Sequence, residues 1–392
     1  MHSRNRSRLA PLLALLLPLL LLAAACGGTD DEETVDAASD ADSGDDGGSE
    51  EPAEGDLVVG FIYVGPKDDF GYNQAAYEGS LAVDELDGVS VIQAENVPET
   101  SEAEAVMANM IDDGAELIFA TSYGHLEFAR NLAEQNPDVV FVHQGGLEGE
   151  NLDNLGTYFG TVYEPVYTAG IAAGAATETD TLGFVYAFPI PQTLANINAF
   201  TLGAQSVNPD VETITISTGS WCDPGLQAEA VQSLLDQDVD VVTQHQDCTK
   251  TIIEATEAAG AYSVGYHADA SELAPDGWLT GSEWDWDAIY VDIVETVQAG
   301  EFASSDYNGD FRVGLQTGDN PFIQSEFGPS VDDDTKALIE EARASFVDGG
   351  SPFAGPVNDQ DGNEVYAEGE QPTYDEIEQM DFFVEGVVGT IG

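Results

Sequence analysis

From Leu57 onward, short unbroken apolar runs alternate with longer stretches whose apolar residues recur at helical spacing. "LVVGFIY" (57–63) reads as a buried strand. "VSVIQAENV" predicts a second strand and "SEAEAVMANMIDDG" a helix, with Ser101 and Glu104 spaced as a capping box. "LIFATS", "HLEFARNLAEQN", "VVFVHQGG" and "NLGTYFGTV" continue the series, and "YEPVYTAGIAAGAATE" predicts a helix of small residues. The alternation restarts at Leu182: "LGFVYAF", "TLANINAFTLGAQSV", "ETITIST", "GLQAEAVQSLLDQD", "VDVVTQHQ", "TIIEATEAAG" and "YSVGYH". Strands separated by helices predict parallel sheets. Two series predict an α/β protein of two doubly wound, Rossmann-like lobes, with a ligand at the carboxyl ends of the strands.

Both ends of the chain break the pattern. Arg4, Arg6 and Arg8 precede an apolar run from Leu9, and small residues lead to Cys26. This reads as a signal peptide over residues 1–25; its end, "AAAC", suits either ordinary Ala-x-Ala cleavage or, as the favoured reading, a lipobox that makes Cys26 the expected lipidation site. Residues 26–56 are acidic, rich in Gly and Ser, and too poor in large apolar groups to fold. They predict a disordered tether holding the body near a membrane. At the other end, "SPFAGPVNDQDGNEVYAEGE" predicts a hairpin across Asp361-Gly362, and a fragmentary calcium-loop pattern there reads as a plain turn.

Charge narrows the partners. The 392 residues carry 74 acids against 9 Lys and Arg, a formal net charge of −65. Phosphate binding needs a basic footprint, so nucleic acid is excluded. The acids are spread along the chain, which predicts a solvated acidic surface suited to a salt-rich medium. With Cys26 acylated, Cys222 and Cys248 remain as a pair in an exported chain. Each follows a strand, and those strands are consecutive, so their ends are expected to be neighbours and the pair a disulfide.

The strand ends carry the candidate chemistry. After the first strand come Asp69, Phe70, Gly71, Tyr72 and Asn73; after "LIFAT" come Ser122 and Tyr123; after "VVFVHQ" comes Gly145. In the second series the corresponding positions hold Trp221, His245, Asp247, His267, Asp269 and Trp284. Phe70, Tyr72, Trp221 and Trp284 can supply flat apolar faces. Asp69, Asn73, Asp247 or Asp269 can accept from an amine. Asn73 equally suits a helix N-cap and Phe70 a packing plug, while His143 and Asp223 read as structural.

The phrases "VGFIYVGPKDDFGYNQAAYEG", "LIFATSYGH", "INAFTLGAQSVNP", "WCDPG", "DVVTQHQDCT" and "FFVEGVVGTIG" resemble the basic membrane protein family of substrate-binding lipoproteins. The resemblance implies the type I periplasmic-binding-protein fold, with a cleft between lobes at 57–162 plus 285–317 and 163–284 plus 318–392. It implies a purine ligand, an ABC permease and ATPase as partners, a monomer, no cofactor, and a lipid-anchored position on the extracytoplasmic face. His267 stands where the nucleoside-binding branch has an Asp, and a Lys of that branch is replaced near Trp284. Both departures favour a free, adenine-like base over a nucleoside. A sensor of the same fold, feeding a signalling partner, is the alternative. Enzyme signatures are missing: the chain has no Gly-x-Ser-x-Gly, His-Glu-x-x-His, Walker A or Gly-x-Gly-x-x-Gly motif, and its 5 His give no metal-ligand spacing.

Overall fold

A computed structural model describes residues 55–147, 152–316 and 320–391. The expected signal peptide, Cys26 and almost all of the tether lie outside the described residues. Among those described, no helix is long and apolar enough to cross a membrane.

The first series forms β1 (Leu57–Ile62), α1 (Tyr72–Asp84), β2 (Val89–Ala94), α2 (Ser101–Asp112), β3 (Ala115–Ala120), α3 (Leu126–Gln135), β4 (Val140–Gln144) and β5 (Leu155–Gly160). The second forms α4 (Tyr163–Ala176), β6 (Thr181–Tyr186), α5 (Pro191–Val207), β7 (Glu212–Ser217), α6 (Pro224–Leu235), β8 (Val241–His245), α7 (Lys250–Ala259), β9 (Tyr262–His267) and β10 (Trp278–Trp284). Then follow α8 (Asp287–Gln298), β11 (Asp310–Val313), β12 (Phe322–Gln324), α9 (Asp333–Val347), β13 (Val357–Asn358), β14 (Glu364–Tyr366), α10 (Tyr374–Ile377) and β15 (Val387–Val388).

One sheet has the order β11-β5-β4-β3-β1-β2 and is parallel throughout. The other runs β12-β10-β9-β8-β6-β7-β15, parallel except for β12 against β10. The chain therefore passes between the two sheets after β5, after β10 and after β11. Both sheets are centred on strands buried on both faces, which is why their sequences are unbroken apolar runs rather than alternating ones.

The small-residue helix α4 is buried around nearly its whole circumference. A Cβ at Gly170 would sit 2.2 Å from the carbonyl oxygen of Phe200, and one at Gly174 would sit 2.4 Å from that of Ala204. Glycine there lets α4 and α5 approach backbone to backbone. The passage after β10 is lined with aromatics: Trp284 stacks on Trp286 at 4.5 Å, and Trp286 meets Tyr158 edge-on at 5.3 Å. One continuous apolar core thus runs from one sheet to the other.

Two local expectations are corrected. The N-cap of α2 is Thr100, whose side chain accepts from the Glu102 N–H; Ser101 is already helical, so the Ser101–Glu104 box is not formed. Cys222 and Cys248 are joined with Cα atoms 5.4 Å apart, but their strands are not neighbours, because β6 lies between β7 and β8. The loops beyond the strands arch over β6 to meet. The tail hairpin β13–β14 forms as the turn residues predict, with Asp359 accepting from the N–H groups of Asp361 and Asn363. No cluster of metal-ligating side chains is found among the described residues.

Candidate ligand-binding site

Where the carboxyl ends of the two sheets face each other there is a small cavity of about 30 Å³. It is lined by Tyr72, Ser122, Tyr123, Phe159, Ile190, Gln192, Trp221, His245, Asp247 and His267. Seven of these were read from the sequence; Phe159, Ile190 and Gln192 were not.

The remaining candidates surround the cavity without lining it. Phe70 turns away and packs on the cluster of Ile253, Ala270, Ala274 and Trp278 in the other lobe. Trp284 is buried behind His267 and donates its indole N–H to His267 Nδ1 at 3.0 Å. Asp269 is exposed and accepts from the Ser271 N–H, capping a short turn. Gly145, at φ +86°, lies beneath Gln192, where a Cβ would meet its Nε2 at 3.0 Å. His143 ties two wall loops together, its ring nitrogens 2.6 Å from the Gly145 oxygen and 2.7 Å from the Ser122 oxygen.

Asp69, Gly71 and Asn73 build the start of α1 and the seam between the lobes. Gly71 occupies the N-cap, where no side chain can cap. Asp69 substitutes for it, accepting from the N–H groups of Gly71, Asn73 and Gln74 at 2.9, 3.3 and 3.0 Å. Asn73 is inside the helix and reaches across the cleft, its Nδ2 donating to Asp247 Oδ2 at 3.1 Å. Thr249 donates its N–H to the Asp69 oxygen at 3.1 Å and its hydroxyl to the Phe70 oxygen at 2.6 Å. Trp221 donates its indole N–H to Glu99 Oε2 at 3.1 Å. The two lobes are therefore closed upon one another. Phe70, Cys248 and His267 hold φ values of +53°, +52° and +80°, left-handed backbone costing roughly 1–3 kcal/mol each. Asn96, Asp180 and Asp238 share this backbone conformation in turns away from the cavity.

Glu99 is the principal residue missed. Its Oε1 accepts from the Ser122 hydroxyl and the Gly124 N–H, both at 2.7 Å, while its Oε2 takes Trp221. It follows the second strand, so the rule that found the other strand-end residues could have found it. Gln192 is oriented from the tail: its Nε2 donates to Glu378 at 3.4 Å, Tyr374 donates to Glu378 at 2.7 Å, and Arg312 Nε donates to the Tyr374 hydroxyl at 2.8 Å.

The electrostatics follow from burial. An indole N–H can only donate, so His267 Nδ1 is an acceptor and the neutral ring carries its proton on Nε2. Burial holds the His267 pKa well below the usual imidazole range and lowers that of His245 to about 3. Both rings are neutral at pH 7. Burial pushes the Asp247 carboxyl well above the usual carboxylate range, and the neighbouring Asp69 adds to it. The cavity thus combines aromatic walls with neutral ring donors and one carboxyl group.

The profile of the family described as "ABC transporter substrate-binding protein PnrA-like" matches residues 57–345. The chain belongs to this Bmp family. It is 36% identical over 346 residues to a purine-binding protein of Brucella abortus (strain 2308), covering 87% of this chain and 95% of that one. It is 31% identical over 355 residues to a Haloferax volcanii protein named as an ABC transporter glucose-binding protein, covering 90% of this chain and 85% of that one. Among solved structures, an ABC transporter solute-binding protein from Aeropyrum pernix K1 superposes with a TM-score of 0.67 at 18% identity, over 82% of this chain and 96% of that one. The chain is a two-lobed substrate-binding protein of the extracytoplasmic side, not an enzyme, and its family works with ABC permease and ATPase subunits.

Proposed function

We propose that this protein captures a purine base of the adenine type and delivers it to an ABC importer. The observation that carries this reading is the composition of the cavity wall. Tyr72, Phe159 and Trp221 offer faces for a planar ring, while Asp247, His245 and His267 offer edge partners. Each aromatic face is worth about 1–3 kcal/mol per stacked base. The Brucella relative, named as purine-binding, supports the same class. No Lys or Arg lines the cavity, which disfavours phosphorylated ligands.

The lobes are assigned as 57–162 plus 285–317 and 163–284 plus 318–392, in keeping with the sheet membership of β11 and β12. Acylation of Cys26 anchors the body to the membrane. A sugar is the second reading, since aromatic walls also suit a hexose and the Haloferax relative is named for glucose. Mass spectrometry of the small molecule released on denaturation, followed by calorimetry with adenine, hypoxanthine, adenosine, guanosine and glucose, decides between them. Tightest binding by adenine supports the proposal; adenosine far above adenine, or glucose alone, overturns it.

A further inference from the structure

Two carboxyl groups from opposite lobes meet on one amide. Asn73 Nδ2 donates to Asp69 Oδ2 at 2.7 Å and to Asp247 Oδ2 at 3.1 Å, which places the two carboxyls within about 6 Å of each other. The amide cannot be turned round, because Asn73 Oδ1 accepts the Gly65 N–H at 3.1 Å. Both Nδ2 hydrogens are spent on this bridge.

The donors around the pair are unequally shared. Asp69 receives four N–H groups: the backbones of Gly71, Asn73 and Gln74, and the Asn73 side chain. Asp247 receives the Asn73 amide alone, and its Oδ1 has no partner among the described residues. The charged groups facing Asp247 are Asp69 and Glu99, both acidic. The other titratable groups around it are Tyr72, Tyr266, His245 and His267, which burial keeps neutral. Asp69 and Asp247 are each only 4% exposed. A buried pair of carboxyls this close, with no Lys or Arg beside it, does not ionise twice. The charge stays where the donors are, on Asp69.

We propose that Asp247 is a neutral carboxylic acid at pH 7 and reads the ligand edge as a donor beside an acceptor. Its O–H donates to a ring nitrogen or carbonyl of the ligand, and its C=O accepts the neighbouring N–H. Such a group pairs with the adenine edge, a ring nitrogen beside an amine, and with the hypoxanthine edge, a carbonyl beside a ring N–H. Guanine presents that same carbonyl beside a ring N–H, and in addition an edge of two adjacent N–H donors that only a carboxylate can take. The identity of the ligand rests on the purine reading above; the position of the proton does not.

Infrared difference spectra at pH 7, of the ligand-free protein and of the protein saturated with adenine, test the proton directly. The spectrum of the native protein minus that of Asp247→Asn is expected to show the C=O band of a protonated carboxyl. A missing band, or one that survives Asp247→Asn and is lost only in Asp69→Asn, overturns the proposal. Calorimetry tests the edge. Asparagine presents the same donor–acceptor pair as a carboxylic acid, so Asp247→Asn is expected to bind adenine at least 10-fold more tightly than Asp247→Ala; equal losses in both variants overturn it. Guanine is expected to gain on adenine as pH rises from 6 to 9, and a constant ratio counts against the proposal. Should no purine bind, the functional reading fails while the infrared result still decides the proton.

Discussion

Trp221 performs two tasks at once, and they can be separated. Its ring forms part of the cavity wall, and its N–H closes the cleft onto Glu99. Removing a stacking face costs about 1–3 kcal/mol. A hydrogen bond to a charged acceptor contributes about 1.5–3 kcal/mol when well buried. Here both partners are half-buried, so the seam bond is taken as about 1 kcal/mol. Trp221→Ala removes both and is expected to weaken ligand binding by about 2–4 kcal/mol, some 30- to 1000-fold. Trp221→Phe keeps a face and loses the seam bond, costing about 1 kcal/mol, roughly 5-fold, chiefly as faster release. Glu99 also holds Ser122 and Gly124, so Glu99→Gln alone is ambiguous. In the Trp221→Phe background its extra effect on release should shrink by the energy of the seam bond. Calorimetry and stopped-flow release on the four proteins measure this cycle. Equal losses in Trp221→Phe and Trp221→Ala would show that the ring contributes no face. Additive effects of Trp221→Phe and Glu99→Gln would show that the seam bond carries no energy.

Salt should raise the melting temperature steeply, because 74 acids face 9 Lys and Arg and the ion pairs Lys250–Glu254 and Lys336–Asp333 are exposed; a flat profile in sodium chloride would show local compensation of the acids. Reducing Cys222–Cys248 opens a 26-residue separation worth roughly 3 kcal/mol. It also loosens Trp221 and Asp247, which precede the two cysteines, so both melting temperature and ligand affinity should fall; unchanged affinity in Cys222→Ser/Cys248→Ser would show that the bridge serves stability alone. The His245 pKa is lowered from 6.5 to about 3, so the unfolded chain binds the extra proton first. Its contribution to stability is whole above pH 6.5 and drains away as pH falls towards 3. His245→Gln should flatten that acid limb in melts between pH 7 and 4, and an unaltered slope would place the titration elsewhere.

The fold was legible because a doubly wound sheet writes itself plainly: strands buried on both faces become unbroken apolar runs, and helices between them force parallel pairing. The location of the site was legible for the same reason, since every parallel strand delivers its following loop to one edge. Side-chain direction was not. Asp247 and Asp269 each stand two residues beyond the last residue of a strand, β8 and β9, yet Asp247 is buried and Asp269 exposed. The difference lies in what meets each loop: α1 of the opposite lobe covers Asp247 through Asn73, while Asp269 caps its own short turn. Phe70 fails in the same way, because its left-handed backbone turns the ring toward Trp278 rather than the cavity. Trp284 was found as an aromatic at a strand end, but it acts one layer back by fixing the tautomer of His267. The disulfide was anticipated by elimination of cysteines, while the strand adjacency offered for it was wrong, since sheet order is not sequence order.

Closure and recognition use the same atoms here. Asn73 fastens the lobes by bonding Asp247, and Asp247 is also a wall of the cavity. Trp221 fastens them by bonding Glu99, and Glu99 also holds the Ser122–Gly124 turn of the opposite wall. Opening the cleft would break both bonds, release Thr249 from Asp69 and Phe70, and admit water to the buried carboxyls. Water removes the burial that keeps Asp247 protonated, so opening would be favoured by rising pH and closure by falling pH. A ligand that pairs with the neutral acid stabilises both the proton and the closed form. Ligand affinity measured on the native protein therefore already contains the closure equilibrium, reduced by the fraction of molecules that is closed. A substitution confined to the seam, such as Thr249→Val, should change affinity for adenine and hypoxanthine by the same factor, because it alters only that fraction. Asp247→Asn, which cannot ionise, should abolish the pH dependence of the adenine-to-guanine ratio. Parallel titration of the three bases against the two variants separates closure from recognition, and a Thr249→Val variant that discriminates among the bases would show that the seam reaches the ligand itself.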